Sequence, residues 1–331
     1  IQYRPPEEYT MSDLPKSIHI YEQGPREGFQ FEKGIIPTDR KIELVDALSE
    51  TGLDHIQVCS FVPPKNVPGM ADAEEVAMRF KKKPGVRYEA LAMNAKGLER
   101  ALATERFEMT GIISLTASET FLQRNQKRTF KQNYDAQHAV IEMYQSHGIT
   151  VERGSIMASF GCNYEGDVPV QRVLDLTAQI FDLAAEHGLT IKVLNYADTM
   201  AWATPLSMQR FLGAIRNKYP TQRLSLHLHD TRGMAIALAY TAMTMGVDVF
   251  DACVGGLGGC PFAAHKGAAG NICTEDLVFM CDEMGIETGV DLDKIIEAAK
   301  LAEDIVGHPL PGSVMKGGSL RKLRQALKSA A

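Results

Sequence analysis

The chain has 331 residues, 45% of them hydrophobic and 23% charged, with a formal net charge of -6 at pH 7. This balance lies far from the composition of disordered chains, and the acidic sign argues against a nucleic-acid partner, which would want a basic face. No apolar run approaches the roughly 18 residues of a membrane span, so no membrane association is expected. The polar, proline-rich start IQYRPPEEYTMSDLPKS carries no signal-peptide core. Six cysteines without a CxxC spacing read as free thiols of a reducing compartment. The expected location is cytoplasmic, with the mitochondrial matrix as the alternative if an upstream targeting segment has been removed.

Short apolar runs alternate with amphipathic stretches. SIHIYEQG is the first predicted strand, and a helix opens at Pro37 with Ile42, Leu44, Val45 and Leu48 on one side. DHIQVCSFV is followed by a helix near 71–82, VRYEALAM by one over 95–103, and MTGIISLT by broken helical sequence to His147. ITVERGSIMAS, LTIKVLNYAD, RLSLHLHD and VDVFDACV complete the strands, with helices expected over 168–187, from Pro205 and over 233–245. This order predicts an α/β fold, a (β/α)8 TIM barrel, with two or three additional C-terminal helices from about Gly270. A doubly wound open sheet is the alternative, because alternation alone does not require closure. The expected organisation is an N-terminal extension over 1–17 and a single domain over 18–331.

Chemistry in such a barrel sits at the C-terminal strand ends. His227 and His229 are two apart on a predicted strand, so period two puts both imidazoles on one face. With a carboxylate from another strand end, such as Glu27, they make a site for a catalytic cation. Two satisfied core histidines are the plainer reading. Arg26, beside Glu27 in a turn shaped by Gly24, Pro25 and Gly28, can neutralise an oxyanion, or be a surface charge. Asp198 suits a general base, a ligand-orienting carboxylate or a helix cap. Cys260 lies in the glycine-rich run 255–261, a candidate mobile loop in which an exposed thiol would be reactive. His265 and Lys266 in the same stretch can meet phosphates or be solvated. Asn271 offers an amide oxygen to a hard cation, or a cap to the following helix.

Together these segments resemble the 3-hydroxy-3-methylglutaryl-CoA lyase family of the DRE-TIM metallolyase superfamily. GPREGFQFEK, SFVPPKNVPGMAD, GCNYEG, ADT, HLHDTRG, GGLGGCPFA and GNICTEDLV stand in the family's order, and the resemblance runs from about Ile18 to about Val306. It implies a divalent metal ion, Mg2+ or Mn2+ with Zn2+ as an alternative, on Glu27, His227, His229 and Asn271. It implies catalytic roles for Arg26, Asp198, Cys260 and His227: Arg26 at the enolate oxygen, Cys260 in proton transfer. It also implies an acyl-CoA substrate cleaved in a retro-Claisen sense to acetyl-CoA and a keto acid, a place in leucine degradation, and a homodimer.

The chain departs from the family pattern near the substrate. Glu27 stands where the lyases usually carry Asp, Gln57 where Glu is usual, and Arg232 where Tyr is usual. Gln57 and Arg232, with Arg26, are therefore the substrate-binding candidates. An extra arginine would suit a differently placed carboxylate, as in a citramalyl-CoA. Other readings are a Claisen-type condensing enzyme, a TIM-barrel metal hydrolase and a non-catalytic acyl-CoA binding protein.

Overall fold

Eight parallel strands run through the computed structural model, which describes residues 14–259 and 269–330. They are β1 (His19–Glu22), β2 (His55–Ser60), β3 (Arg87–Leu91), β4 (Gly111–Thr116), β5 (Val151–Met157), β8 (Val193–Asp198), β9 (Arg223–Leu228) and β10 (Val249–Ala252). Between them β6 (Gly161–Cys162) and β7 (Gly166–Asp167) form a small antiparallel hairpin. This hairpin leaves no signal in the sequence, because two-residue strands show no periodicity. The hydrogen-bonded order is β3-β2-β1-β10-β9-β8-β5-β4. First and last strands are neighbours, as closure demands and a doubly wound sheet does not allow. The two end strands meet through the Glu108 amide, which donates to the Tyr88 carbonyl (2.8 Å), and the Thr110 hydroxyl, which donates to Glu89 Oε1 (2.9 Å).

Strand β9 shows how local sequence builds this wall. In RLSLHL, Leu224, Leu226 and Leu228 are fully buried, each contributing about 1.5–3 kcal/mol. The alternate Ser225 and His227 join polar partners on the barrel axis. Strand β8 repeats the pattern. Tyr196 packs edge-on against Phe211 of the helix Pro205–Lys218 (5.0 Å between centroids), while Asn195 donates to Ser225 on the neighbouring strand β9 (2.9 Å). Apolar side chains thus face the helices, and much of the interior is polar.

After β10 the chain forms helices Thr274–Met284, Leu292–Val306, Val314–Gly317 and Leu320–Ala330, four where two or three are expected. The extra break falls where Gly307, in left-handed backbone, ends the longest of them and Gly317-Gly318 separates the last two. Among the described residues no helix is long and apolar enough to cross a membrane.

Candidate active site

Strand β1 runs directly into a π-helical turn, Gly24–Gly28, which carries Arg26 and Glu27. Such wide turns are rare and recur at functional sites. Glu22, fully buried, fastens it from behind. Its Oε1 accepts from the Gly24 (2.7 Å) and Val254 (3.0 Å) amides, and its Oε2 from the Thr274 hydroxyl (2.5 Å). Burial pushes the Glu22 carboxyl up to about 7 against the pull of these donors.

Glu27, His227 and His229 converge at the C-terminal mouth of the barrel, each offering a ligand atom within 4.8 Å of the others. The two imidazole Nε2 atoms lie 3.0 Å apart, and Glu27 Oε1 lies 3.6 Å from each. His227 reaches this point from the end of β9. His229 is held one step beyond by a bridge to Asn271, whose amide side chain donates to Glu27 Oε1 (2.8 Å) and to the Leu257 carbonyl (3.1 Å). Gly258 allows the loop to lie this close: it has φ +83°, and a Cβ there would come within 2.8 Å of Asn271 Nδ2.

The donor set fits a divalent cation. Two imidazoles and a carboxylate leave coordination positions open for substrate. Donors at right angles on bonds of about 2.1 Å sit roughly 3.0 Å apart, which is the spacing of the two Nε2 atoms. Asn271 Oδ1 and His229 Nδ1 are buried without hydrogen-bond partners, and the first of these is the kind of oxygen a hard cation takes. Without an ion the cluster behaves as an ion pair. Burial disfavours a charged His227, but Glu27 and Asp251 overcome this and raise the ring to about 10. Burial likewise works against the Glu27 carboxylate, yet His227 and Arg26 hold it well below the usual range.

Arg26 stands beside this centre, 3.1 Å from Glu27 Oε2. Its Nε donates to the Gln57 amide oxygen and its Nη2 to that of Gln23. Two neutral amides therefore aim the guanidinium without cancelling its charge. Gln57 meets Arg26 directly. Asp198 is fully buried, and its carboxylate accepts from the Trp202 (2.8 Å) and Ala203 (2.9 Å) amides. Those bonds shape a loop in which Ala201 holds a positive φ of 53°. Burial raises the Asp198 carboxyl; the two amides, then His229 and Arg232, pull it back. Arg232 braces the same loop, donating to the carbonyls of Met200 (2.7 Å) and Ala201 (3.0 Å). Cys260, His265 and Lys266 lie outside the described residues. The cysteines 59, 162, 253, 273 and 281 are unpaired and buried, and burial pushes the Cys59, Cys253, Cys273 and Cys281 thiols up.

One group near the site escapes the motif reading. Asp251, in the middle of β10, approaches His227 Nδ1 at 3.1 Å. Its signal was a carboxylate inside the run VDVFDACV, flanked by Phe250 and Ala252 and three residues beyond Asp248, where a buried charge is tolerated only with a partner.

The family model described as HMGL-like matches residues 17–302. The mitochondrial hydroxymethylglutaryl-CoA lyase of Homo sapiens is 40% identical over 289 residues, 87% of this chain and 86% of that one. The crystal structure of the Bacillus subtilis HMG-CoA lyase superposes with a TM-score of 0.82 at 38% identity, covering 90% of this chain and 97% of that one. An HMG-CoA lyase from Acinetobacter baumannii in complex with coenzyme A and 3-methylmalate superposes with a TM-score of 0.80 at 36% identity, covering 94% and 97%. With the barrel and the converging Glu27, His227 and His229 in place, these similarities identify the chain as a member of the HMGL-like family of carbon–carbon lyases.

Proposed function

We propose that the chain cleaves 3-hydroxy-3-methylglutaryl-CoA to acetyl-CoA and acetoacetate, using Mg2+ or Mn2+ held by Glu27, His227, His229 and Asn271. The observation that carries this reading is the convergence of Glu27, His227 and His229 beside an amide-braced Arg26, in a chain 40% identical to a lyase of that name. A divalent ion there supplies a Lewis acid for the substrate's 3-hydroxyl oxygen. As a base in the site takes that hydroxyl's proton and the C–C bond breaks, negative charge develops on the thioester oxygen, where Arg26 meets it. A proton then returns to the enolate carbon, the step for which Cys260 is the candidate; acetyl-CoA and the keto acid leave. Asp198 contributes by shaping the loop beside His229.

A second acyl group is favoured by one feature of the site and one of a relative. Beside its ion pair with Glu27, Arg26 has a neutral partner in Gln57, which leaves more of its charge for a substrate carboxylate than a glutamate there would, and the A. baumannii relative is complexed with 3-methylmalate. Methyl-substituted malyl thioesters, citramalyl-CoA among them, are therefore the alternative substrates. The family resemblance also supports a homodimer, which sedimentation would test. The deciding assay is release of acetyl-CoA from the methylglutaryl and citramalyl thioesters and of propionyl-CoA from the 3-methylmalyl thioester, each with Mg2+, Mn2+ or EDTA. Metal-dependent release from the first carries the proposal. Release from a malyl thioester alone replaces the acyl group, and silence on all three, with coenzyme A still bound, makes the chain a binding protein. If Gln57→Glu raises turnover of the methylglutaryl thioester several-fold, the glutamine has moved the enzyme away from that substrate.

A further inference from the structure

The two histidines of the cluster are unequally supported. His229 Nδ1 is buried with no hydrogen-bond partner. His227 Nδ1 lies 3.1 Å from Asp251 Oδ2, a buried carboxylate oxygen that Asn195 Nδ2 also approaches at 3.4 Å. Asn195 is in turn fixed by Ser155, which donates to its oxygen (3.3 Å), and by Ser225, which accepts from its nitrogen (2.9 Å). The other carboxylate oxygen, Asp251 Oδ1, is buried with no hydrogen bond. The cation facing it is Arg153, whose Nη2 lies 3.8 Å away.

Arg153 belongs to the opposite end of the barrel. It lines a cavity of about 230 Å³ at the N-terminal mouth together with Tyr21, His55, Arg87, Glu89 and Arg223. The neighbouring cations have close acidic partners of their own: Arg87 with Glu89 (2.8 Å), Lys192 with Glu152 (2.6 Å), Arg223 with Asp248 (2.8 Å). Arg153 lies over the Tyr21 ring, 5.0 Å from its centroid, its Nε buried without a partner and its Nη2 3.8 Å from Asp251 Oδ1, and its charge acts on Glu89 as well.

We propose that Asp251 and Arg153 form a positioning unit for His227 that reaches from the metal site to the far mouth of the barrel. The proposal rests on the metal reading above. An acceptor at Nδ1 keeps the ring proton there and leaves the Nε2 lone pair for the cation, and a carboxylate in that place makes the imidazole a stronger donor. Once His227 serves as a neutral ligand, the carboxylate behind it is a buried anion with one oxygen bare of hydrogen bonds. Arg153 compensates that charge without donating to it, so Oδ2 remains free to face the ring. His229 lacks such a partner, and the ordering of the site falls mainly on His227.

The test is Mn2+ titration of the metal-free protein by calorimetry, with the electron paramagnetic resonance spectrum of bound Mn2+, for wild type, Asp251→Asn, Arg153→Met, the double variant and Asp251→Glu. Asp251→Asn is expected to raise the Mn2+ Kd about tenfold or more. Arg153→Met should raise it by a smaller factor, and the double variant should bind no more weakly than Asp251→Asn alone, because one residue acts through the other. Asp251→Glu should recover part of the affinity. Unchanged Mn2+ affinity in Asp251→Asn with a lowered Tm would overturn the proposal and make the aspartate a structural residue. Strict additivity in the double variant would overturn the link to Arg153. If Asp251→Asn does not fold, Arg153→Met must carry the effect, and unchanged affinity there overturns the proposal. Glu27→Ala and His229→Ala serve as controls. If neither lowers Mn2+ affinity, the metal reading itself fails; if they do while the Asp251 and Arg153 variants do not, only the positioning unit fails.

Discussion

At the C-terminal mouth, Glu27, His227 and His229 crowd within hydrogen-bonding or ion-pair reach of one another, and buried atoms of His229 and Asn271 have no partner. At the N-terminal mouth, His55 and Glu89 are just as buried, yet they pair at 3.0 Å, and Arg87 joins the same carboxylate at 2.8 Å. Both ends place acids and bases on the axis of the same barrel. One end gathers donors that have chiefly each other and so invites an ion; the other closes Glu89 into pairs with His55 and Arg87, and leaves Arg153 facing Asp251. Removing a group from the first should abolish chemistry, and breaking the Glu89 pairs of the second should cost stability.

The largest effect is expected at the upper mouth. His229→Ala should lower turnover by about a hundredfold or more and abolish tight Mn2+ binding, because a ligand is lost from a site that has few to spare. Steady-state kinetics together with calorimetry check this, and near-wild-type turnover would remove His229 from the site. Arg26→Ala should lower kcat by about a hundredfold, as loss of a charge that meets a developing oxyanion does. Here Mn2+ binding should remain, because Arg26 touches Glu27 without being a ligand. Equal loss of metal and turnover would mean that Arg26 builds the cluster instead of serving the reaction.

The lower mouth provides the converse. Glu89→Gln breaks a buried pair and should destabilise the protein by about 3 kcal/mol, with kcat within about twofold of wild type. Burial alone would raise the Glu89 carboxyl, but His55, Arg87 and Arg153 bring it down to about 2 from an ordinary 4.5. A depressed folded value means that this stabilisation is present above about 4.5 and is lost as pH falls through about 2. The gap in Tm between wild type and Glu89→Gln should therefore narrow from pH 6 to pH 3. A constant gap, or a large loss of turnover at pH 7, would break the division between the mouths.

The barrel was legible in the sequence because its wall follows two simple periods. The alternating leucines of β9 and the stripe Ile42, Leu44, Val45, Leu48 point to a strand and a helix without further information, and His227 and His229 share a face for the same reason. Asn271 was reached through family resemblance, since nothing local distinguishes a ligating amide from a cap. The partners of each charge were not legible. Gln57 on Arg26, Arg232 on the carbonyls after β8 and Arg153 behind Asp251 are contacts between strand ends far apart in sequence. A one-dimensional pattern gives which face a side chain takes, and the stagger of neighbouring strands gives what it meets there.

The smallest effect expected is at Glu275, a residue buried behind the upper mouth. One of its oxygens accepts from the Gly255 amide at 2.9 Å, and the other has no partner. Burial raises its carboxyl to about 8 from an ordinary 4.5, against the pull of the Gly255 amide. A raised folded value works in the opposite sense to Glu89. The stability it supports is fully present below about 4.5 and is lost as pH rises through about 8. Glutamine keeps an acceptor for Gly255 and cannot ionise, so Glu275→Gln should gain stability relative to wild type as pH rises from about 5 to about 9. Thermal denaturation across that range measures it. Diverging curves would mean that the frame of the upper mouth holds a carboxyl at the edge of ionisation, in contrast to Glu89 at the lower mouth, which is paired with His55 and Arg87. Parallel curves would mean that Glu275 is as settled as Glu89, and that the difference between the two ends is confined to the ligand cluster itself.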